Sequence, residues 1–233
     1  MTQNTIKVYD GPSLLDGERI VVLASGFRRE SQNTKTGDMI QTWILRYDIA
    51  PHEAQKTGAD GSVCGACPLR PLLYKAAGQD KRCYVKTYQA PLTVWKAHKD
   101  LEVCPPERVK KLVEGKKVRR GSYGDPAAVP LWVWEMLDAG AGGDTGYTHQ
   151  WRSAVKLSTF TMASVHTASE ARLAQAFGFR TFRVLGQDEK PTPDEVLCPA
   201  SKEAGNRTTC ARCGLCSGSK PGDYRKNVAI YAH

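Results

Sequence analysis

At 233 residues with 41% hydrophobic content, the chain can bury a sizeable core unaided, which excludes a miniature fold stapled together by its eight cysteines. Thirty-three Lys and Arg against 24 Asp and Glu leave a formal charge of +9, a surplus that points to a polyanionic partner, nucleic acid (DNA or RNA) first. The N-terminus, Met-Thr-Gln-Asn-Thr-Ile-Lys, has no apolar run of signal-peptide or membrane-spanning length, so the expected setting is a reducing cytoplasm without a membrane partner.

In chain order, residues 19–25 form a β-rich run, 33–38 carry turn chemistry and 40–47 are again β-prone, which predicts a hairpin within the first fifty residues. Residues 51–61 are polar and glycine-bearing and read as a loop that delivers Cys64 and Cys67. Residues 83–88 then read as strand, 91–99 as helix, 106–115 as an amphipathic helix and 117–123 as strand. The alternation continues with helix at 128–137, strands at 145–149 and 157–165, helix at 168–177, strand at 180–185 and a last strand at 227–231.

Units of this length predict one α/β domain over 1–233 with a parallel sheet and covering helices. Its expected parts are an N-terminal β-hairpin at 1–50, an α/β core with the first cysteine group at 51–197, and a cysteine-rich metal-binding segment at 198–233. A small or incomplete (β/α) barrel is the first expectation, and an open doubly wound parallel sheet the alternative. Both place chemistry at the C-terminal ends of strands. That rule singles out Ser122, Tyr123, Gly124, Asp125, His149, Ser164, His166 and Cys198. Asp125 has the position of a nucleophile or general base, and equally that of a helix N-cap before Pro126. His149 reads as acid, base or ligand, or as a hydrogen-bonded structural histidine.

The cysteines carry the most specific signal. Cys198, then Cys210, Cys213 and Cys216 in Thr-Cys-Ala-Arg-Cys-Gly-Leu-Cys, match the tight three-cysteine turn of ferredoxin-type [4Fe-4S] sites with a remote fourth ligand. Neighbours two residues apart seldom make relaxed disulfides, and clustered thiols in a reducing compartment read as metal ligands. Zinc is the alternative, since Cys210, Cys213, Cys216 and His233 would make a Cys3His site similar to that of tRNA-guanine transglycosylases. Upstream, Cys64, Cys67 and Cys83 offer three thiolates and an open fourth position, as a catalytic cluster or metal requires. Cys104 is either the ligand that closes this group or a small buried hydrophobe. The two groups are expected to hold one [4Fe-4S] cluster or two, in separate centres or a shared one.

Basic residues concentrate in the first half: Arg28, Arg29, Lys81, Arg82, Lys96, Lys99, Arg108, Lys110, Lys111, Lys116, Lys117, Arg119 and Arg120. Tyr74, Tyr84, Tyr88 and Trp95 interleave with them, the combination that stacks bases while holding phosphates. Taken singly, each lysine is equally a solvated helix face and each aromatic equally a core residue.

The order of motifs resembles a cysteine-rich phage and plasmid family often labelled rolling-circle replication-associated. The resemblance is carried by residues 64–69, Cys83-Tyr84, Arg120-Gly-Ser-Tyr-Gly-Asp125, Tyr147-Thr-His149, Cys198-Pro-Ala200, 209–216 and the ending Val228-Ala-Ile-Tyr-Ala-His233. It implies a phage or plasmid context, hence a host-cell cytoplasm, and joint action of both cysteine groups with the Tyr-Thr-His segment. Three functions follow as expectations. The first is an iron-sulfur enzyme acting on nucleic acid or a nucleotide-derived substrate, superficially similar to radical S-adenosylmethionine enzymes but lacking their Cys-x-x-x-Cys-x-x-Cys. The second is a non-enzymatic, metal-stabilised nucleic-acid-binding factor for replication or host takeover. The third is a zinc-containing, transglycosylase-like base-modifying enzyme with Asp125 as nucleophile.

Overall fold

The computed structural model describes residues 4–28, 31, 33–78 and 83–232; Arg29, Lys81, Arg82 and His233, named above, lie outside the described residues. The chain opens with three strands, β1 (Thr5–Pro12), β2 (Arg19–Ser25) and β3 (Ile40–Arg46), paired antiparallel in succession. The expected hairpin is the β2–β3 pair, and β1 is an additional edge strand. Four short helices follow: α1 (Pro51–Thr57), α2 (Gly61–Cys64), α3 (Pro71–Ala76) and α4 (Ala90–Lys96).

Residues 51–57, expected as loop, are helical because Pro51 presets φ at the first turn while Gly58, at φ 85°, provides the left-handed C-terminal residue. Their polar composition is that of a solvated helix face. The expected strand at residues 83–88 is absent: the segment runs as coil and turn.

The second half alternates as β4 (Val118–Tyr123), α6 (Leu131–Asp138), β5 (Asp144–Thr148), β6 (Met162–Val165), α7 (Ala168–Ala176), β7 (Thr181–Leu185), β8 (Glu195–Leu197), α8 (Cys210–Cys213) and β9 (Asn227–Tyr231), with α5 (Pro106–Val113) ahead of β4. The strand expected over 157–165 is only its last four residues, because Val155–Thr159 forms a 3-10 turn first. Among the described residues the strands make one nine-stranded sheet in the order β1-β2-β3-β4-β5-β6-β7-β9-β8, mixed but parallel from β3 onward. The fold is therefore α/β.

From β3 to β7 the strands follow one another without reversal, and right-handed crossovers in one direction place their connections on one face. Val109 and Val113 of α5, Val133, Trp134 and Leu137 of α6, and Ala171 and Ala174 of α7 accordingly share one core with Val118, Ala163 and Val165 of the sheet. Burying each Val or Leu there contributes about 1.5–3 kcal/mol. Alternate residues, Met162, Phe182, Val184, Val196, Val228 and Ile230, point the other way, into a second core built with the C-terminal cysteine segment. Arg183 clamps β8 across β9 by pairing with Glu195 at 2.8 and 2.7 Å. Arg120, read as a basic surface residue, is buried and paired with Asp138 and Asp144 between α6 and β5. Among the described residues no helix is long and apolar enough to cross a membrane.

Candidate metal centres

At the C-terminal ends of β4 and β5 three segments converge. α2 ends in Cys64, and the Cys67 amide donates to the Cys64 carbonyl at 3.2 Å, making a tight Cys-x-x-Cys turn. Arg70 holds this turn from outside through the Gly65 carbonyl at 2.7 Å, the Gly58 carbonyl at 2.8 Å and the Asp60 carboxylate at 2.8 Å. The Cys83 amide donates to the Leu69 carbonyl at 2.9 Å and so brings the third cysteine back to the turn.

The strand ends bind the same turn from inside. The Asp125 amide donates to the Val63 carbonyl at 2.6 Å. Gln150 donates to the Cys64 carbonyl at 3.2 Å and accepts from the Ala66 amide at 3.2 Å. The fit is close enough that a Cβ on Gly65, which has φ 55°, would lie 2.6 Å from the Gln150 amide carbon. His149 Nε2 then lies 4.0 Å from Cys67 Sγ, with the His149 and His166 rings stacked at 5.7 Å.

Asp125 is buried, and its oxygens accept from the Ala127 amide at 2.9 Å, the Thr148 hydroxyl at 2.7 Å and the His149 amide at 2.7 Å. Burial still pushes its carboxyl above the usual range despite these donors. The side chain therefore ties the end of β4 to the end of β5 and sets the path of the main chain at His149.

Burial, reinforced by the mutual repulsion of Cys64, Cys67 and Cys83 and by the nearby Asp60 and Asp125, drives the thiols toward the neutral form; Cys67 is pushed up to about 12. Burial and the neighbouring His166 push His149 down to about 3, leaving a neutral imidazole. A cation placed among these groups would reverse the thiol shifts, since a coordinating thiol is deprotonated outright.

The C-terminal group packs with the second core, on the face away from α5, α6 and α7. Cys198 follows β8 and its amide donates to the Ala229 carbonyl at 2.8 Å. Cys210 and Cys213 occupy the single turn α8, which closes on Gly214 at φ 66°. Its first amides, Cys210 and Ala211, donate to the Lys35 and Thr36 carbonyls, each at 2.9 Å, so the turn at 33–37 anchors it. Cys216 is buried against β5, where the Gly146 amide donates to its carbonyl at 3.2 Å and the Tyr147 hydroxyl bonds its sulfur.

Cys198, Cys210, Cys213 and Cys216 together line one cavity of about 10 Å3, room for a single water-sized body, whose other walls include Pro199, Ala200, Leu215 and Val228. Lys35 favours the thiolates of Cys198 and Cys210 and Arg119 that of Cys210, while Arg180 and Arg225, which also interact electrostatically with Cys216, are held by main-chain carbonyls and Asp223. Burial pushes Cys216 up to about 12.

The sequence-derived candidates thus divide into two sets, Cys64, Cys67, Cys83, Asp125, His149 and His166 at the strand ends, and the four C-terminal cysteines beside the second core. Cys104 stands apart from both, beside β1, where its amide donates to the Lys7 carbonyl at 2.7 Å. Among the described residues no three His, Cys, Asp or Glu side chains already close on one ion-sized point. Sequence reasoning missed Arg70, Gln150 and Tyr147; for Gln150 the available signal was its place directly after His149 on a strand end. Of the aromatics named above, Trp95 donates to the Arg46 carbonyl at 2.8 Å and packs on the core, whereas Tyr84 and Tyr88 are exposed. Arg119 donates to the Tyr84 hydroxyl at 2.9 Å. Comparison of the chain with protein-family models, curated proteins and solved structures returns no match.

Proposed function

We propose that the chain is a phage-type iron-sulfur protein, an enzyme that acts on nucleic acid or a nucleotide-derived substrate in the host cytoplasm. The observation that carries this reading is the cavity encircled by Cys198, Cys210, Cys213 and Cys216. Three of these cysteines keep the two-residue spacing of ferredoxin-type cluster ligands, with Cys198 as the remote fourth, and the largely apolar walls suit a dry cluster. The surrounding Lys35, Arg119, Arg180 and Arg225 offset the charge of a thiolate-bound cluster.

In this reading the unreversed strand order belongs to a curled, incomplete (β/α) barrel, with the reaction at the strand ends where Cys64, Cys67, Cys83 and His149 gather. Asp125, with both oxygens held by the protein, positions His149. Tyr84 and Tyr88, exposed on the segment that begins at Cys83, supply faces for base stacking, and Arg119 holds the Tyr84 hydroxyl. The phage setting comes from the resemblance in motif order.

Anaerobic purification followed by iron, zinc and acid-labile sulfide determination tests the proposal. Iron with sulfide, lost together in Cys213→Ser, is the expected result; a colourless, sulfide-free protein overturns it. Binding to single-stranded DNA or RNA that weakens steeply with salt is expected alongside, and salt-insensitive or absent binding removes that substrate class.

A further inference from the structure

We infer that the cysteine group at the strand ends is a Cys3His site for a single zinc-type divalent ion, with Cys64, Cys67 and Cys83 as thiolate ligands and His149, through Nε2, as the fourth. The inference rests on the reading that this group holds a metal, and goes beyond it in naming the fourth ligand and the kind of centre.

Geometry assigns the fourth corner. One ion with a sulfur at about 2.3 Å and a nitrogen at about 2.0 Å sets a tetrahedral sulfur-to-nitrogen edge of about 3.5 Å. The observed separation of Cys67 Sγ and His149 Nε2 is 4.0 Å, a small rotamer change away. Ligands on two different irons of a cluster stand much farther apart. Cys104, the other sequence candidate, is held beside β1 instead.

The approach of His149 is also built in, because its neighbour on each side is engaged. Gln150 grips Cys64 and Ala66 across the Cys-x-x-Cys turn, while Thr148 bonds the same Asp125 carboxylate that accepts the His149 amide. The Asp125 carboxylate and the Gln150 side chain thus fix the main chain on both sides of His149, and the imidazole faces the thiol turn. Three thiolates and one imidazole are a ligand set suited to zinc. With four protein ligands in place, a substrate atom reaches the ion only by displacing His149 or by raising the coordination number to five.

The test uses full-length protein purified anaerobically with its own metals, examined by zinc-edge X-ray absorption and metal analysis. Expected are zinc near one equivalent per chain with three sulfurs and one nitrogen, four sulfurs in His149→Cys, and loss of zinc but retention of iron in Cys83→Ser. His149→Cys keeps a ligand at the corner, so it reads coordination even where His149→Ala fails to fold. A three-sulfur, one-nitrogen shell unchanged in His149→Cys overturns the assignment of His149. Iron and sulfide sufficient for two clusters, with no zinc, overturns the mononuclear centre while leaving the iron-sulfur proposal standing. Metal content unaffected by both Cys64→Ser and Cys83→Ser overturns metal binding at this group altogether.

Discussion

Cys198 and Cys216 are buried among Met162, Val228 and Ile230, with Cys210 and Cys213 half-buried beside them, and Cys64, Cys67 and Cys83 are half-buried where β4 and β5 end. The electrostatic surroundings differ as much. Lys35, Arg119, Arg180 and Arg225 face the C-terminal thiols, while Asp60 and Asp125 face the others. Arg70, the cation beside the strand-end group, is committed to Asp60 and two carbonyls. Arg180 and Arg225 are committed in the same way, to main-chain carbonyls and Asp223, so the clear difference is that Lys35 and Arg119 favour the Cys198 and Cys210 thiolates while Asp60 and Asp125 disfavour those at the strand ends. The comparison teaches that one residue type meets a different electrostatic setting according to which charged side chains the fold brings beside it.

The largest expected effect falls on the C-terminal group. Cys216→Ser should release iron and sulfide and lower Tm by roughly 10 °C, from a loss of about 4 kcal/mol in a chain of this size. Cys67→Ser should cost less than half as much, because that turn retains its bonds to Arg70 and Gln150; equal losses by calorimetry would erase the contrast. Next comes Asp125→Ala, which leaves the Thr148 hydroxyl and the His149 and Ala127 amides without their acceptor. A destabilisation of about 2–3 kcal/mol is expected, with iron content unchanged and zinc affinity reduced.

Tyr84→Ala sharpens the functional side of the comparison. Loss of one stacking platform of about 1.4 kcal/mol should weaken single-strand binding roughly tenfold in a fluorescence titration, with metal content intact. Smallest is a pH effect confined to the C-terminal segment. Asp223 is held below the usual carboxylate range chiefly by its hydrogen bond to Arg225, which in turn bonds Ser217 and the Gly218 carbonyl. A lowered folded value contributes stability that is present above the unfolded value of about 3.9 and fades as pH falls below it. Tm measured from pH 6 down to pH 3 should therefore fall less steeply in Asp223→Asn than in the parent chain, and parallel curves would remove Asp223 from the acid response.

Much of this was legible in the residues and some was not, for physical reasons. The strands at 19–25 and 227–231 were readable to the residue because β-branched runs bounded by turn chemistry are local signals. The helix at 51–57 was hidden because its polar face outweighed Pro51 and Gly58, the two residues that set its ends. At 83–88 a β-prone composition did not make a strand; among the described residues the segment pairs with none of the nine strands and is held by the Leu69 carbonyl and by Arg119 instead. Arg120 and Arg119 are adjacent and chemically alike, yet alternation across β4 sends one into a buried ion pair and the other toward Tyr84.

By itself the sequence determined the local facts: which residues can ligate, the two-residue spacing that turns Cys210, Cys213 and Cys216 inward together, and the β and α units that make the fold α/β. Only the tertiary structure decided partnership. That Cys198 completes the C-terminal cage, that Cys104 joins neither group, and that His149 meets Cys67 across 82 positions of sequence depend on sheet order, on Gln150 and Asp125 spanning two strand ends, and on crossovers that leave one face free. Spacing acts through covalent geometry and reaches only a few residues, whereas contacts between distant segments exist only once the sheet has brought them together.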